Sequence, residues 1–153
     1  MTKLLLKIAQ VIRRLYWRLV KPTTRGVRAI VVDQSGRVLL VLHRYEEGWF
    51  LPGGKVGRGE SDDSALRREL REELGISELT QVTILGGYMN THEYKKDTIV
   101  VYVVRSFAQQ PKRHFEIKAQ GFFHPQDLPP ETSPGTRRRI EEWLGKRNIN
   151  NQW

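Results

Sequence analysis

The sequence predicts an α/β domain in which a mixed sheet is flanked by helices, with one additional amphipathic helix before it. Short runs of apolar and β-branched residues recur along the chain, as at residues 27–32 and 98–107, and turn residues bound each run. Two segments between and after these runs carry helical spacing and capping residues, one beginning at Ser61 and the other at Ser133. Strands interrupted by amphipathic helices indicate a layered domain in which helices cover a sheet.

Whole-chain properties are consistent with a single domain of 153 residues, which is long enough to bury a core. The sequence has no cysteine, which excludes a disulfide framework. Its net charge of +9 suits polyanionic partners such as phosphorylated substrates, nucleic acid or an anionic membrane surface. We divide the chain into a basic amphipathic helix at residues 1–22, a folded domain at residues 23–147 and a frayed tail at residues 148–153.

The first helix is predicted to be amphipathic between residues 3 and 20. At 100° per residue, one stripe of the helix is apolar and most of the basic residues face away from it. The stripe contains Leu4, Ile8, Val11, Ile12, Leu15 and Leu19, and the basic residues are Lys3, Lys7, Arg14, Arg18 and Lys21. These charges interrupt the apolar run and so disfavour a transmembrane span. A secretory signal is also disfavoured, because arginines fall where its apolar region should continue and no small-residue cleavage site follows. Three interpretations stay open: contact with an anionic membrane, docking on the same domain or a second subunit, and contact with nucleic acid.

The strands follow in order along the domain. Residues 27–32 and 38–42, joined by a turn at residues 34–36, predict a β-hairpin. Residues 49–51 predict a short strand that leads into the glycine turn at residues 52–54. Further strands are expected at residues 82–90, 98–107 and 115–123, with a polar connection at residues 93–97.

The last helix is predicted to begin at Ser133 and Pro134, which are favoured at the N-cap and the first helical position. Its apolar stripe consists of Ile140, Trp143 and Leu144. The three arginines at residues 137–139 are expected to form a solvated face of this helix.

The segment at residues 54–76 contains three carboxylates, Glu69, Glu72 and Glu73, within five positions. Ser61 suits the N-cap of a helix and Gly75 suits its end, so the three side chains lie near one side of that helix. Their mutual repulsion is relieved by a divalent cation that prefers oxygen ligands. Arg68 stands four residues before Glu72 and can pair with it.

This spacing resembles the Nudix box. The matching positions are Gly54, Glu60, Arg68, Glu69, Leu70, Glu72, Glu73, Gly75 and Ile76. The resemblance covers roughly residues 26–146 and implies the Nudix α/β/α sandwich with a mixed sheet, with the N-terminal amphipathic helix as an addition to it. It also implies Mg²⁺, or Mn²⁺, as the cofactor.

The resemblance further implies roles for individual residues. Glu72 and Glu73 are expected to ligate the metal together with the carbonyl group of Gly53. Glu69 is expected to act as the catalytic base or as a shared ligand, with Arg68 beside it. Glu116, in the later strand, is a candidate for a further metal ligand, and the alternative is an ordinary outward-facing glutamate.

Candidate substrate contacts are expected on the strands that flank the box. Arg28 interrupts an apolar strand and can point into the cleft, and His43 and Arg44 follow a buried strand and can meet phosphates. Phe50, with its neighbour Trp49, either stacks on a base or packs in the core.

The function that the resemblance implies is Mg²⁺-dependent hydrolysis of a pyrophosphate bond in a nucleoside diphosphate derivative or a nucleoside triphosphate. Two alternatives stay open: removal of pyrophosphate from RNA 5′ ends, which the net charge suggests, and a catalytically silent module that binds nucleotides or membranes. The expected partner is a small nucleotide, and nucleic acid is disfavoured as a partner. A homodimer and a peripheral membrane contact through residues 3–20 stay open, and the expected location is the cytoplasm.

Overall fold

The computed structural model describes residues 23–92 and 95–153, together with Ile8, Val11, Ile12, Leu15 and Tyr16. From residue 23 onwards the elements are β1 (Thr23–Val31), β2 (Val38–His43), β3 (Trp49–Phe50), β4 (Gly53–Lys55), α1 (Asp62–Leu74), β5 (Ile76–His92), β6 (Lys95–Gln109), β7 (Ile117–Phe123) and α2 (Pro134–Trp143). The predicted α/β class is confirmed. Most of the predicted N-terminal helix lies outside the described residues, and so do two residues of the connection between β5 and β6.

The strands form two sheets rather than one. A four-stranded sheet has the order β4-β1-β6-β5, and a three-stranded sheet has the order β3-β2-β7. In the first sheet β1 and β6 run parallel while the other pairs run antiparallel, so this sheet is mixed, as expected. The second sheet is antiparallel.

The predicted hairpin between β1 and β2 is wrong, because these strands belong to different sheets. Within the described chain they share one bridge, between Val32 and Val38. Asp33 closes the turn between them, since its carboxylate accepts hydrogen bonds from the N–H of Ser35 and of Arg37, both at 2.9 Å. Strand β1 is largely buried in its second half, and both of its edges are paired, with β4 on one side and β6 on the other. A central strand of this kind takes its partners from distant parts of the chain.

The core consists of two clusters, and each sheet contributes to both. Helix α1 packs Ala65, Leu66, Leu70 and Leu74 into the first cluster. Helix α2 packs Ile140 into the second. The caps expected for α1 are present: the hydroxyl of Ser61 accepts a hydrogen bond from the N–H of Ser64 at 3.2 Å, and Gly75 ends the helix with φ 66°. The helix that carries the carboxylates is therefore fixed at both ends and along its buried face.

The tail at residues 148–153 is not frayed as predicted, because it pairs with β5. The N–H of Met89 donates to the carbonyl of Asn151 at 2.7 Å, and the N–H of Trp153 donates to the carbonyl of Met89 at 3.0 Å. The indole of Trp153 packs against the second core cluster. These contacts come from a distant strand, which local composition does not reveal.

Arg139 is not solvated as predicted but fully buried. Its guanidinium lies 3.9 Å from the ring centroid of Tyr88 and pairs with Glu142 at 2.9 Å. It also donates to the carbonyl of Gln152 at 2.8 Å. The tail and β5 cover this side of α2, so one arginine of the three is removed from water.

The described residues of the N-terminal segment are helical and exposed. Among the residues that the structure describes, no helix combines the length and the apolar character needed to cross a bilayer.

Candidate active site

The glycine turn before α1 allows an unusually close approach of backbone and side chain. Gly53 has φ 140°, a conformation that L side chains rarely adopt, and a Cβ there would overlap the carbonyl of Val27. A Cβ on Gly54 would overlap the carboxylate of Glu69. Strand β4 pairs with β1 at this point, with Gly53 opposite Arg28. The turn therefore brings Glu69 against the sheet backbone, and only glycine leaves room for it.

Arg68 is the centre of a network of carboxylates. Its Nε and Nη2 donate to the two carboxylate oxygens of Glu60 at 2.8 and 3.0 Å, and its Nη1 donates to Oε1 of Glu69 at 2.8 Å. The expected pairing with Glu72 is present but longer, at 3.4 Å. Nη2 also donates to the carbonyl of Lys55 at 3.0 Å, which ties the guanidinium to β4.

Glu60 was not assigned a role from the sequence, although it occupies a position of the box. Hydrogen bonds from Arg68 and from the N–H of Gly57 lower the pKa of Glu60 to about 2. The same pairing raises the pKa of Arg68 above its ordinary value. Both groups are therefore charged across the neutral range, and Glu60 fixes the guanidinium that in turn holds Glu69.

Glu73 is the buried member of the carboxylate cluster, with 5% of its surface exposed. Burial raises its pKa to about 7, and the nearby charge of Glu69 adds to this effect. Arg28 and a hydrogen bond from the N–H of Gly53 oppose the rise. One carboxylate oxygen, Oε2, has no hydrogen-bond partner in the described part of the chain. A buried oxygen of this kind is costly unless a cation or a donor reaches it.

The donors fit a hard divalent cation, because they are oxygens and because the buried Oε2 of Glu73 is left without a partner. They do not form a finished ligand set. Among the described residues, no three acidic or histidine side chains converge as a group that could hold a metal ion. Arg68 contacts Oε1 of Glu69 and, at 3.4 Å, Oε2 of Glu72, so its contacts take one oxygen of each carboxylate and leave the other for a cation.

Glu116 lies in the residues before β7 and is half-buried. The hydroxyl of Tyr45 donates to its Oε2 at 3.4 Å, and its charge contributes to the raised pKa of Glu73. The structure therefore brings Glu116 into electrostatic range of the carboxylates on α1. Tyr45 was missed from the sequence, where its place after His43 and Arg44 was the available signal.

Arg28 is half-buried on β1 and faces the carboxylates. Burial lowers the pKa of its guanidinium, and the charges of Glu73, Glu46 and Glu69 oppose that effect. It lines a cavity of about 350 Å³ together with Thr24, Arg25, Gly26, Gly54, Lys55, Asp97 and Ile99. Arg28 therefore lies at this cavity, beside the glycine turn.

His43 ends β2 and is buried, with its Nδ1 lacking a hydrogen-bond partner among the described atoms. Its ring lies 5.6 Å from that of Tyr45 and 5.9 Å from that of Phe50, measured between centroids. Burial and the charge of Arg28 lower its pKa. His43 and Arg44 line a second, larger cleft of about 820 Å³.

The two aromatic candidates pack mainly on the protein itself. Phe50 lies against the first core cluster and does not line either of these cavities. Trp49 packs edge-on against Phe123 with 5.0 Å between ring centroids, although it also borders the larger cleft. The structure therefore brings together Arg28, Arg68 and the carboxylates, whereas Phe50 packs on the core and on the ring of His43.

Comparison with known proteins identifies one family. The sequence model of the NUDIX domain family matches residues 22–144 of this chain. A CTP pyrophosphohydrolase of Escherichia coli is 32% identical over 81 residues, which are 50% of this chain and 56% of that protein. An RNA pyrophosphohydrolase of Halorhodospira halophila is 38% identical over 70 residues, 46% of this chain and 38% of that protein. In both cases the matched part is less than two thirds of the relative.

Two solved structures are matched over nearly their whole length. A MutT NUDIX hydrolase from Burkholderia pseudomallei superposes with a TM-score of 0.70 at 30% identity, covering 79% of this chain and 98% of that one. A MutT protein from Methanosarcina mazei superposes with a TM-score of 0.70 at 25% identity, covering 85% of this chain and 99% of that one.

Proposed function

This chain belongs to the NUDIX domain family, and we propose that it hydrolyses a pyrophosphate bond in a small nucleotide with the help of a divalent cation. One observation carries the proposal. Arg68 fixes Glu60 and Glu69 beside the glycine turn, next to the unpartnered buried oxygen of Glu73. A structural salt-bridge network would have no use for an unpaired buried carboxylate, because that group lowers stability.

The metal site that we propose consists of Glu72, Glu73 and the carbonyl of Gly53, with Glu69 as base or shared ligand and Glu116 as a further ligand. Their oxygens suit Mg²⁺ or Mn²⁺. When bound, such an ion neutralises charge on the phosphate oxygens and orients them.

The side chains of the protein then act on water and pyrophosphate. Arg68 occupies Oε1 of Glu69, so we assign Oε2 as the atom that accepts the proton of the attacking water. The water oxygen forms a bond to phosphorus, and the bond from that phosphorus to the bridging oxygen breaks, with the leaving phosphate keeping the electron pair. Arg28 stabilises the negative charge of the phosphoryl group. Glu69 afterwards releases its proton to solvent.

We place the nucleoside part of the substrate in the cavity beside Gly54 and Arg28, since Gly54 lies against the carboxylate of Glu69 and both residues line the cavity. His43, Arg44 and the larger cleft are a second position for the group attached to the phosphates. The small-nucleotide assignment follows the relative that acts on CTP, and a cytoplasmic location and a homodimer stay predictions.

RNA with a 5′ triphosphate is the alternative substrate, because a specific feature favours it. A groove of about 650 Å³ runs from Thr24, Arg25 and Lys55 to Arg58, and it shares those first three residues with the cavity beside Gly54. Lys55 and Arg58 are exposed on this path and would meet the phosphates of a longer chain. The RNA pyrophosphohydrolase among the relatives agrees with this alternative.

The test is a substrate panel with product identification. It contains nucleoside triphosphates, nucleoside diphosphate derivatives and triphosphorylated RNA, each with Mg²⁺ and with Mn²⁺. We expect phosphate-bearing products from a small nucleotide. Turnover of RNA alone selects the alternative, and Lys55→Glu with Arg58→Glu should then reduce it more than cleavage of a mononucleotide. Absence of turnover throughout, with folded protein, would leave the catalytically silent module.

A further inference from the structure

The described residues of the N-terminal segment form an apolar helical stripe that is exposed to solvent. Five residues of the segment 1–22 are described, and they follow the spacing i, i+3, i+4, i+7, i+8 of one helix face. They are Ile8, Val11, Ile12, Leu15 and Tyr16, with exposed fractions between 47% and 61%. The folded domain therefore does not cover these five side chains, which disfavours docking on the same domain.

The segment also carries charges of one sign only, which are positive. It contains six lysines and arginines, at positions 3, 7, 13, 14, 18 and 21, and the first acidic residue of the whole chain is Asp33. An apolar stripe with basic residues on the opposite face is typical of helices that lie in a membrane interface, where the stripe enters the acyl region and the charges meet anionic headgroups. Tyr16 and Trp17 are of the residue types that concentrate at headgroup depth.

The charge of the segment distinguishes the remaining candidate partners, which are a second copy of the chain, nucleic acid and an anionic membrane. A second copy of this segment would bring six more positive charges against the first six, with no acidic residue in either copy to pair with them. Nucleic acid would satisfy the basic residues, but it would leave the apolar stripe in water. An anionic lipid surface complements both parts at once.

We propose that residues 3–20 bind the protein to the surface of an anionic membrane through the stripe of Ile8, Val11, Ile12, Leu15 and Tyr16 and the basic residues around it. The contact is peripheral and reversible. It is independent of the hydrolysis that we propose for the folded domain, and it carries that domain to a surface where anionic lipids are concentrated.

Co-sedimentation of the full chain with vesicles tests the proposal. One vesicle contains phosphatidylcholine alone, and the other contains phosphatidylcholine partly replaced by phosphatidylserine. Two double variants disrupt the segment: I12E/L15E in the stripe and R13E/R14E in the basic residues. Matched controls make the same changes at exposed positions of the domain, I84E/I149E and K112E/R113E. Thermal unfolding of each variant shows that the domain is intact.

We expect the wild-type chain to sediment with the anionic vesicles and not with phosphatidylcholine alone, and raised salt should release it. Each basic residue at an anionic surface is worth roughly fivefold in partitioning, so R13E/R14E should reduce binding by about thirtyfold or more. I12E/L15E should abolish binding, while both controls stay within about twofold of wild type.

Several outcomes would overturn the proposal. Equal sedimentation with both vesicles would remove the role of charge, and full binding by I12E/L15E would remove the role of the stripe. No sedimentation at all, with a dimer by light scattering that I12E/L15E dissociates, would assign the stripe to a second copy. Binding to RNA that only R13E/R14E weakens would assign the charges to nucleic acid.

Discussion

Arg68 donates a hydrogen bond to each carboxylate oxygen of Glu60, from Nε to Oε1 at 2.8 Å and from Nη2 to Oε2 at 3.0 Å. The remaining nitrogen, Nη1, is thereby directed at Glu69. A guanidinium can serve two carboxylates in this way because its donors lie in a rigid plane. Glu60 thus controls the orientation of Glu69 through Arg68, without itself facing the substrate cavity beside Gly54.

This relationship predicts a loss of rate in Arg68→Lys, since lysine keeps the charge but lacks the planar fork. We expect kcat to fall roughly tenfold to a hundredfold with little change in KM, as for other residues that orient a metal ligand. Steady-state kinetics on the substrate found in the panel measures this. Arg71→Ala, at an exposed position of the same helix, is the control and should keep its rate. A full rate in Arg68→Lys would show that the fork has no role.

The glycine turn predicts that Gly54→Ala displaces Glu69, because the added Cβ overlaps its carboxylate. We expect kcat to fall by at least about tenfold, given the sensitivity of catalysis to small displacements. Gly87→Ala is a matched control: its Cβ would meet no atom within 4 Å, and its backbone is not in the left-handed region. The account is wrong on this point if both alanine variants hydrolyse substrate at the wild-type rate.

Glu73 predicts a pH dependence of stability in the metal-free protein. Its pKa is about 7 in the folded state against an ordinary value of 4.5, so the folded state holds the proton more tightly. The resulting stabilisation is full below the ordinary pKa and is lost as the pH rises through about 7. The difference is worth roughly 3 kcal/mol in the free energy of unfolding.

Urea unfolding in the presence of a chelator, followed across that pH window, measures this effect. Glu73→Gln is the comparison, because its amide does not titrate, and its free energy of unfolding should decline less than that of the wild type. Identical curves for the two proteins would show that Glu73 titrates at its ordinary pKa.

Arg139 predicts a stability effect far from the carboxylates. Arg139→Ala leaves the buried carboxylate of Glu142 without its guanidinium and removes the cation above the ring of Tyr88. We expect a loss of roughly 4 kcal/mol in the free energy of unfolding. Its neighbour Arg138, which is half-buried on the same helix, should cost about 0.5 kcal/mol or less when changed to alanine. Similar losses in the two variants, by urea unfolding, would contradict this role.

The parts of the structure that depend on neighbouring residues were predictable from the sequence. Ser61 and Gly75 cap α1 as expected, and the spacing of Leu66, Leu70 and Leu74 fixed which face of it is buried. The spacing also placed Glu69, Glu72 and Glu73 near one side of this helix, but it did not show that Glu73 is buried with the leucines.

The parts that failed depend on contacts between distant residues. The hairpin prediction failed because β1 pairs with β4 and β6. The local sequence at residues 27–32 does not indicate which strands will pair with it. The burial of Arg139 depends on Tyr88 and on the tail, which are separated from it along the chain. Glu60 is eight residues from Arg68, in the loop before α1. Its pairing with Arg68 depends on how this loop folds against the helix, which the sequence does not indicate.

The hydrolysis rate of Glu73→Gln beside that of the wild-type chain, with Mg²⁺ or Mn²⁺ and the substrate found in the panel, tests the central claim most directly. The variant keeps the shape of the side chain but loses the charge of the buried carboxylate that we assign to the cation. The account predicts a rate at least about a hundredfold lower than that of the wild type. An unchanged rate would contradict the assignment of this cluster as the metal site of a pyrophosphohydrolase.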